Sequence, residues 1–201
     1  AGRHEAALNA YTPAIEDLTE TLGAYPAGRR PSTLVRTRAR LEGEMAASCV
    51  GLGRFGDAAT LAASSARGYR QLVAVAPDDP SLRLHLAVAV RRVGVVLRFL
   101  GDGPIALVAL ELSMNQLAQL ARAFPDHLEV ISELAASTLE VGSTLAGGVY
   151  ARWEDGLEDL AEAERLHREV LGRDPDRHAV RRNLSLCISL SAQALVWIPG
   201  R

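Results

Sequence analysis

Four prolines recur along this 201-residue chain at an almost constant interval, each at the end of a long stretch of helix-forming residues. They are Pro26, Pro77, Pro125 and Pro175. Their separations are 51, 48 and 50 residues. A second series of breaks, rich in Gly, Arg and Asp, alternates with them at the same spacing and lies at 2–5, 53–56, 101–104 and 152–155. Because proline cannot continue a helix and glycine commonly ends one, the two series predict repeated helical hairpins.

The stretches between the breaks are rich in alanine and leucine, with few β-branched runs, which favours long helices. The pattern predicts eight helices and no strands, with the helices at 5–25, 32–52, 57–76, 81–100, 104–124, 127–151, 155–173 and 177–197. Around the fourth helix, Asp78, Asp79 and Ser81 offer N-cap oxygens. Gly101 supplies a left-handed stop, and Pro104 fits the first turn of the next helix.

Small residues recur at the same place in each hairpin. In the helices that follow the Gly-rich breaks, here called B helices, the first small residues are Ala7, Ala58, Ala106 and Gly156. The residues four positions later are Tyr11, Ala62, Leu110 and Leu160, and those seven positions later are Ala14, Ser65, Ser113 and Ala163. In the helices that follow the prolines, called A helices, the small residues are Ala46, Gly94, Gly142 and Ala192, each followed three positions later by Cys49, Leu97, Leu145 and Leu195. Each set shares one helix face, so we expect the A and B helices to approach closely.

This order of small residue, apolar residue, turn glycine, B-helix alanine and closing proline resembles the tetratricopeptide repeat. The resemblance covers the whole chain, with longer helices than the family's usual unit of ~34 residues. It implies an all-α fold, a right-handed α-solenoid of antiparallel helix hairpins. The stretch 77–102 also resembles long-helix repeats attached to bacterial serine/threonine kinases and found in other multidomain signalling proteins.

We expect one helical-repeat domain over 1–201, with repeats at roughly 1–30, 31–79, 80–126, 127–176 and 177–201. The first of these lacks an A helix and the last lacks a B helix, so we expect the chain to be part of a longer protein. The last helix, apolar on more than one side, is then expected to leave an apolar patch exposed. The alternative is a complete small protein whose last helix covers a dimer interface.

Composition excludes several kinds of function. All 22 basic residues are arginine, so a P-loop, a kinase lobe and a pyridoxal Schiff base each lack the lysine they require. A net charge of −2 supplies no basic field for nucleic acid or anionic lipid. The longest uncharged apolar run, 184–198, carries four polar residues and falls short of the ~18 needed to cross a bilayer. We therefore expect a cytoplasmic protein without nucleic-acid or membrane partners.

The candidate chemical groups have simpler structural interpretations. Glu164 and His167 form one Glu-x-x-His pair, whereas di-iron bundles use two such pairs with further carboxylates. The glycine-rich segment 142–148 follows a helix, not a strand, and favours a close helix crossing or a kink over a phosphate site. Cys49 and Cys187 sit inside apolar helical patterns and are expected to be small buried thiols. We predict no catalytic residue, no metal site and no cofactor, and hence a protein that is not an enzyme.

The resemblance implies that the A helices line a concave groove where partner segments bind. The positions in matching register are Val88, Arg91, Val95 and Arg98, then Ala136, Leu139, Ser143 and Ala146, then Leu186, Ser189, Gln193 and Val196. Such a groove is mostly small and apolar, with two arginines suited to an acidic residue of a peptide. We expect a non-catalytic scaffold that binds a protein or peptide partner. The alternatives are a structural or oligomerisation segment that self-associates through its last helix, and a small-ligand-binding helical domain.

Overall fold

A computed structural model describes residues 2–147, 150 and 152–197, and it is all-α over these residues. Eight α-helices and no strand occur in them. The helices are α1 (Gly2–Gly23), α2 (Ser32–Gly51), α3 (Phe55–Val75), α4 (Pro80–Phe99), α5 (Gly103–Ala123), α6 (Leu128–Ala146), α7 (Trp153–Arg173) and α8 (His178–Trp197). A short 3₁₀ turn, Ala27–Arg29, lies between α1 and α2. The predicted all-helical class is confirmed, and so is the helix count.

Most predicted boundaries fall within a few residues of the observed ones, with two corrections. The break predicted at Gly2 is wrong, because α1 already begins there and the segment 2–5 forms its first turn. The predicted sixth helix extends to residue 151, but α6 ends at Ala146. Of the remainder, residues 148, 149 and 151 lie outside the described part of the chain, as does Ile198 in the apolar run 184–198.

The turn chemistry follows the sequence closely. Asp79 is the N-cap of α4, and its side chain accepts hydrogen bonds from the amides of Ser81 and Leu82 at 2.9 and 3.1 Å. The glycine that follows α4, Gly101, has φ +85°, and Gly53 after α2 has φ +72°. Other residues rarely adopt this conformation, so glycine at these two positions lets the A helix stop and the chain turn back.

The chain divides into two compact units, Ala1–Asp102 and Gly103–Arg201. Their boundary falls inside the predicted repeat 80–126. Over the part of the chain that the structure describes, no helix is both long and apolar enough to cross a membrane.

In the first unit, each helix packs against the next one along the chain, and α2 also contacts α4. Its core has two parts. One centres on Leu22, Val35, Tyr69 and Leu82, towards the proline loops, and the aromatic rings of Tyr69 and His85 stack at 5.3 Å. The other is built from smaller side chains of α2 and α3 near their connecting turn; its buried residues are Leu8, Ala46, Cys49, Ala58, Ala62 and Val96.

The second unit repeats this arrangement with α5 to α8. Consecutive helices pack together, α6 also contacts α8, and the most extensive packing is between α6 and α7. The buried clusters again lie at two levels. Ile131, Leu166 and Val180 belong to one, and Leu139, Leu160 and Cys187 belong to the other. Cys49 and Cys187 are free, buried thiols, as predicted.

A close helix crossing in the second unit brings two glycines together. A Cβ at Gly156 of α7 would lie 2.7 Å from the amide nitrogen of Ala146 and 2.9 Å from the carbonyl oxygen of Gly142, both on α6. These obstacles are backbone atoms, which cannot swing away as a side chain can. The interpretation of segment 142–148 as a close helix crossing is therefore confirmed for Gly142.

We expect Gly156→Ala to lower the free energy of unfolding by about 1–3 kcal/mol, because the added methyl group forces α6 and α7 apart. Gly172→Ala is the matched control on α7, since a Cβ there meets nothing within 4 Å. That substitution is expected to be neutral or to stabilise by up to about 1 kcal/mol through helix propensity. Chemical denaturation followed by circular dichroism measures both, and equal effects would contradict the close crossing.

Candidate functional site

The residue immediately before α3 and the residue immediately before α7 have the same backbone conformation. Arg54 and Arg152, which precede α3 and α7, have nearly identical backbone angles: φ −87° and ψ 63°, against φ −90° and ψ 59°. Each arginine contacts the aspartate three residues later at 2.7 Å, Asp57 in one case and Asp155 in the other. These pairs are exposed, so each adds little stability, but they mark positions that correspond between the units.

Next to each of these turns, two aromatic rings stack. In the first unit, Phe55 at the start of α3 stacks on Phe99 at the end of α4, with ring centroids 4.9 Å apart and planes 4° apart. In the second unit, Trp153 at the start of α7 lies against Trp197 at the end of α8, with centroids 6.2 Å apart and planes 17° apart. Phe55 and Trp153 are 98 residues apart in the sequence, and so are Phe99 and Trp197. The aromatic pair is therefore a repeated feature, with the larger rings in the second unit.

A cleft of about 480 Å³ opens beside the two tryptophans, between the C-terminal ends of α6 and α8. It is lined by Ser143, Ala146, Gly147, Trp153, Leu190, Gln193, Ala194 and Trp197. We call it the tryptophan cleft. Ser143 and Gln193, which the sequence predicts on a groove-facing surface of the A helices, are thus brought together on its walls.

The lining of the tryptophan cleft is uncharged. Gln193 is exposed and carries a carboxamide that can both donate and accept hydrogen bonds. The Ser143 hydroxyl donates to the carbonyl oxygen of Glu140 at 3.2 Å. Trp197 is 66% exposed, whereas Trp153 is half-buried, so the Trp197 ring is the more accessible wall of the cleft. Such a site suits an apolar or aromatic group flanked by a peptide amide.

The exposed part of α8 extends well beyond the cleft. Its exposed large apolar side chains are Leu186, Ile188, Leu195, Val196 and Trp197. Large apolar residues gathered on one exposed helix commonly mark an interaction surface. The apolar patch predicted for the last helix is confirmed over the described residues.

The prediction that Leu139 lines an open groove is wrong. Leu139 is 3% exposed and packs in the core with Leu160, Ala163 and Cys187. The reason is that α6 contacts three other helices, α5, α7 and α8, and most of its residues are buried. Sequence register identifies the correct helix face but cannot show how much of it the neighbouring helices bury.

The groove residues predicted in the first unit lie on α4. Val88, Arg91, Val95 and Arg98 share one face by their spacing, and each is half-buried. Neither arginine lacks an interaction partner. The two arginines are therefore engaged within the protein, and the binding of an acidic peptide residue by them stays a prediction.

A larger cleft, of about 750 Å³, lies in the first unit among α1, α2 and α3. Its lining includes the charged residues Glu5, Arg54 and Asp57, and the last two are paired with each other at 2.7 Å. Cys49 also borders this cleft, but burial raises the pKa of its thiol above the ordinary value. The thiol is thus held in its neutral, weakly nucleophilic form.

The Glu164 and His167 pair does not converge on a site. His167 is fully buried in the core, whereas Glu164 accepts a hydrogen bond from Arg168 at 2.6 Å on the surface of α7. Within the described residues, no group of three or more His, Cys, Asp or Glu side chains is placed to hold a metal ion.

The acidic residue Asp159 of α7 has a perturbed pKa. Burial raises this pKa to about 6, and the negative charges of Glu111, Asp155 and Glu158 add to the effect, while Arg152 opposes it. Asp159 lies over Gly142, where α6 and α7 approach most closely. A carboxylate there is partly removed from water and faces more negative than positive charge, so its ionisation opposes folding.

We expect Asp159→Asn to stabilise the protein at pH 7.5 by on the order of 2 kcal/mol, since a tenfold change in acidity on folding corresponds to about 1.4 kcal/mol. Because the pKa is higher in the folded than in the unfolded chain, the stabilising contribution of protonated Asp159 is complete below about pH 4. It is lost as the pH rises through 6.

The gain from Asp159→Asn should therefore shrink towards zero at pH 4, as measured by thermal unfolding at both pH values. Asp126→Asn is the control, since its side chain is 99% exposed and contacts only Arg173, at 3.6 Å, among the ion pairs of the described residues; its effect at pH 7.5 should be smaller than that of Asp159→Asn. A gain in stability of equal size at both pH values would contradict the conclusion that the ionised form of Asp159 opposes folding.

Sequence reasoning missed the two tryptophans as site residues, although a signal for them exists. Comparison of the chain with itself at an offset of 98 residues aligns Phe55 with Trp153 and Phe99 with Trp197. An offset near 50 residues hides the pair, because Gly103 then stands opposite Phe55. The repeat of about 50 residues therefore shows the recurrence of the small residues but not that of the aromatic pairs.

Comparison with known protein families and with curated proteins finds no match to this chain. Its function is therefore inferred from the packing, clefts and surfaces of the chain itself.

Proposed function

We propose that this chain is a non-catalytic helical-repeat scaffold that binds a peptide or partner segment, with the tryptophan cleft as its anchoring site. The observation that carries the proposal is the placement of Ser143 and Gln193 beside Trp153 and Trp197 between two successive A helices. A groove between successive A helices is the surface that the resemblance to tetratricopeptide repeats implies.

The chemistry of the cleft favours one kind of ligand. Because its lining is uncharged, a charged anchor would lose hydration without gaining an ion pair. An aromatic or large aliphatic side chain instead gains contact with both indole rings. The carboxamide of Gln193 can then bond to the main chain next to that anchor. The volume of about 480 Å³ suits one or two side chains of a peptide.

The architecture of the proposal is a right-handed solenoid of the tetratricopeptide type within a larger bacterial signalling or regulatory protein. Support for the repeat comes from the contacts of α2 with α4 and of α6 with α8, which join the A helices of successive hairpins in each unit. Support also comes from the small residues that recur where A and B helices meet. On this proposal, binding is by shape and burial, without turnover.

A second candidate function is self-association through α8. It is favoured by the exposed apolar residues of that helix, among which Ile188 and Leu195 do not line the tryptophan cleft.

The cleft carries its own spectroscopic probe, because Trp153 and Trp197 are the only two tryptophans of the sequence. Peptides selected from a random display library against this protein should be enriched in aromatic or large aliphatic residues. Their binding should change the tryptophan emission. Trp197→Ala is expected to weaken binding by about 30-fold or more, the effect of removing an anchoring aromatic residue. Gln193→Ala is expected to weaken it less.

Val75→Ala is the control, since Val75 is 80% exposed and lies in the first unit. Fluorescence titration and calorimetry measure the affinities of the wild type and the three variants. Selected peptides that bind Trp197→Ala as tightly as wild type would overturn the assignment of the cleft.

A further inference from the structure

We infer that the first unit binds a phosphoryl group of a partner peptide at a site between α2 and α4. The site consists of three guanidinium groups near one phenol hydroxyl, those of Arg36, Arg40, Arg92 and Tyr69. We call it the basic site. The inference goes beyond the proposed function, because the basic site lies in the first unit and needs no contribution from the tryptophan cleft.

The charge of the chain is unevenly divided between its two units. Residues 1–102 contain 13 arginines and 10 acidic residues, whereas residues 103–201 contain 9 arginines and 14 acidic residues. The overall charge of −2 therefore conceals an excess of positive charge in the first unit. An anionic group of a partner is expected to bind that unit in preference to the second.

Tyr69 of α3 forms the buried part of the basic site. Its side chain is 3% exposed and belongs to a core cluster with Val35 and Ala39 of α2 and Leu82 and Ala89 of α4. The hydroxyl makes no hydrogen bond with a residue that the structure describes. Because a phenol O–H can donate one hydrogen bond, Tyr69 is left with a donor for an oxygen of a ligand.

Three arginines lie near this hydroxyl. Burial raises the pKa of Tyr69 above its ordinary value, and the negative charge of Glu44 adds to the rise. The positive charges that oppose the rise are those of Arg92, Arg36 and Arg40. The hydroxyl therefore keeps its proton at neutral pH, and three guanidinium groups are close enough to act on it.

The packing of α2 on α4 brings these guanidinium groups together. Arg36 and Arg40 lie one turn apart on α2, and both are exposed. Arg92 of α4 reaches the same helix, where its Nη2 lies 2.7 Å from a carboxylate oxygen of Glu44. A Cβ at Gly43 would collide with the guanidinium group of Arg92, so glycine at this position leaves room for the arginine to lie against α2.

The acidic residues nearby leave part of this positive charge unbalanced. Glu44 is paired with Arg92. Asp79 lies 3.7 Å from Arg36, but its other carboxylate oxygen already accepts two hydrogen bonds at the N-terminus of α4. Arg40 forms no ion pair with a residue that the structure describes. The charges of Arg36 and Arg40 are thus available to an anion.

This arrangement fits a phosphoryl group better than a carboxylate. A phosphorylated side chain carries a charge of about −1.5 to −2 near neutral pH and has three strong acceptor oxygens. Two guanidinium groups and the phenol can each donate to a different oxygen. A carboxylate carries one charge and two oxygens, so it would leave a charge or a donor unmatched. Clusters of arginine are a common means of recognising phosphorylated peptides.

Three synthetic peptides test the inference with the whole chain. The probes are a blocked alanine peptide with a central phosphoserine, the same peptide with serine, and the same peptide with glutamate. The rings of the four tyrosines, labelled with ¹³C, report binding by NMR. The phosphoserine peptide should bind at least about tenfold more tightly than the other two. It should shift the ring signals of Tyr69 and leave those of Tyr150 unchanged.

A pair of arginine variants separates charge at the basic site from charge elsewhere. Arg40→Gln should weaken phosphopeptide binding about tenfold or more, because it removes a charge-assisted hydrogen bond. Arg70→Gln is the matched control, since Arg70 is exposed and follows Tyr69 in the sequence but does not act on its pKa. The control removes the same charge and should change the affinity by less than about twofold.

Two further variants test the hydroxyl and the balance of charge. Tyr69→Phe keeps the ring in the core and should weaken binding about two- to tenfold, with an unchanged circular dichroism spectrum. Glu44→Gln should instead strengthen binding several-fold, because it makes the charge of Arg92 available to the anion. A purely structural role of Glu44 would not increase the affinity.

Equal affinities of Arg40→Gln and Arg70→Gln for the phosphopeptide would overturn the basic site. Equal binding of the phosphoserine and glutamate peptides would overturn its assignment to a phosphoryl group. Inorganic phosphate that binds as tightly as the phosphopeptide would overturn the assignment to a peptide. Failure of the proposed function is distinguishable from these outcomes, because Trp197→Ala is expected to leave phosphopeptide binding unchanged.

Discussion

The close antiparallel packing of α2 on α3, and of α6 on α7, is the contact on which the rest of each unit depends. It is made by small residues: Ala46 with Ala58 and Ala62 in one unit, and Gly142 with Gly156 in the other. Small side chains bury little apolar area each, but they let two backbones approach closely along ~20-residue helices. Because the helices are ~30 Å long, close packing along them also fixes the positions of their ends. The end of α8 thereby contacts the start of α7.

Much of this fold follows from local chemistry that a sequence displays directly. Proline beyond each B helix, the left-handed Gly53 and Gly101, and the Asp79 cap act within a few residues of where they stand, so the helix boundaries are predictable. The break expected at Gly2 fails for the same reason. A glycine permits a turn but does not impose one, and the residues after it favour helix.

The candidate site is less predictable, because it depends on how many neighbours a helix face has. Register identifies Ser143 and Gln193, but the same register places Leu139 on the surface, where α5, α7 and α8 together leave it no room. The same difficulty applies to Arg91 and Arg98. Their spacing predicts that both face a ligand-binding groove, yet both already interact with other groups of the protein. Register predicts the face of a helix on which a residue lies, whereas the burial of that residue depends on all the helices that pack around it.

The aromatic pairs Phe55–Phe99 and Trp153–Trp197, with the arginine–aspartate pairs beside them, recur after 98 residues, while the α5 position between them carries Gly103. The ring pairs therefore repeat once per unit of four helices and not once per hairpin. At the same place in each unit, the first carries a tight stack with centroids 4.9 Å apart, whereas the second carries larger rings 6.2 Å apart that line the tryptophan cleft. The wider spacing of the second pair is thus the structural difference that accompanies a cleft at this position.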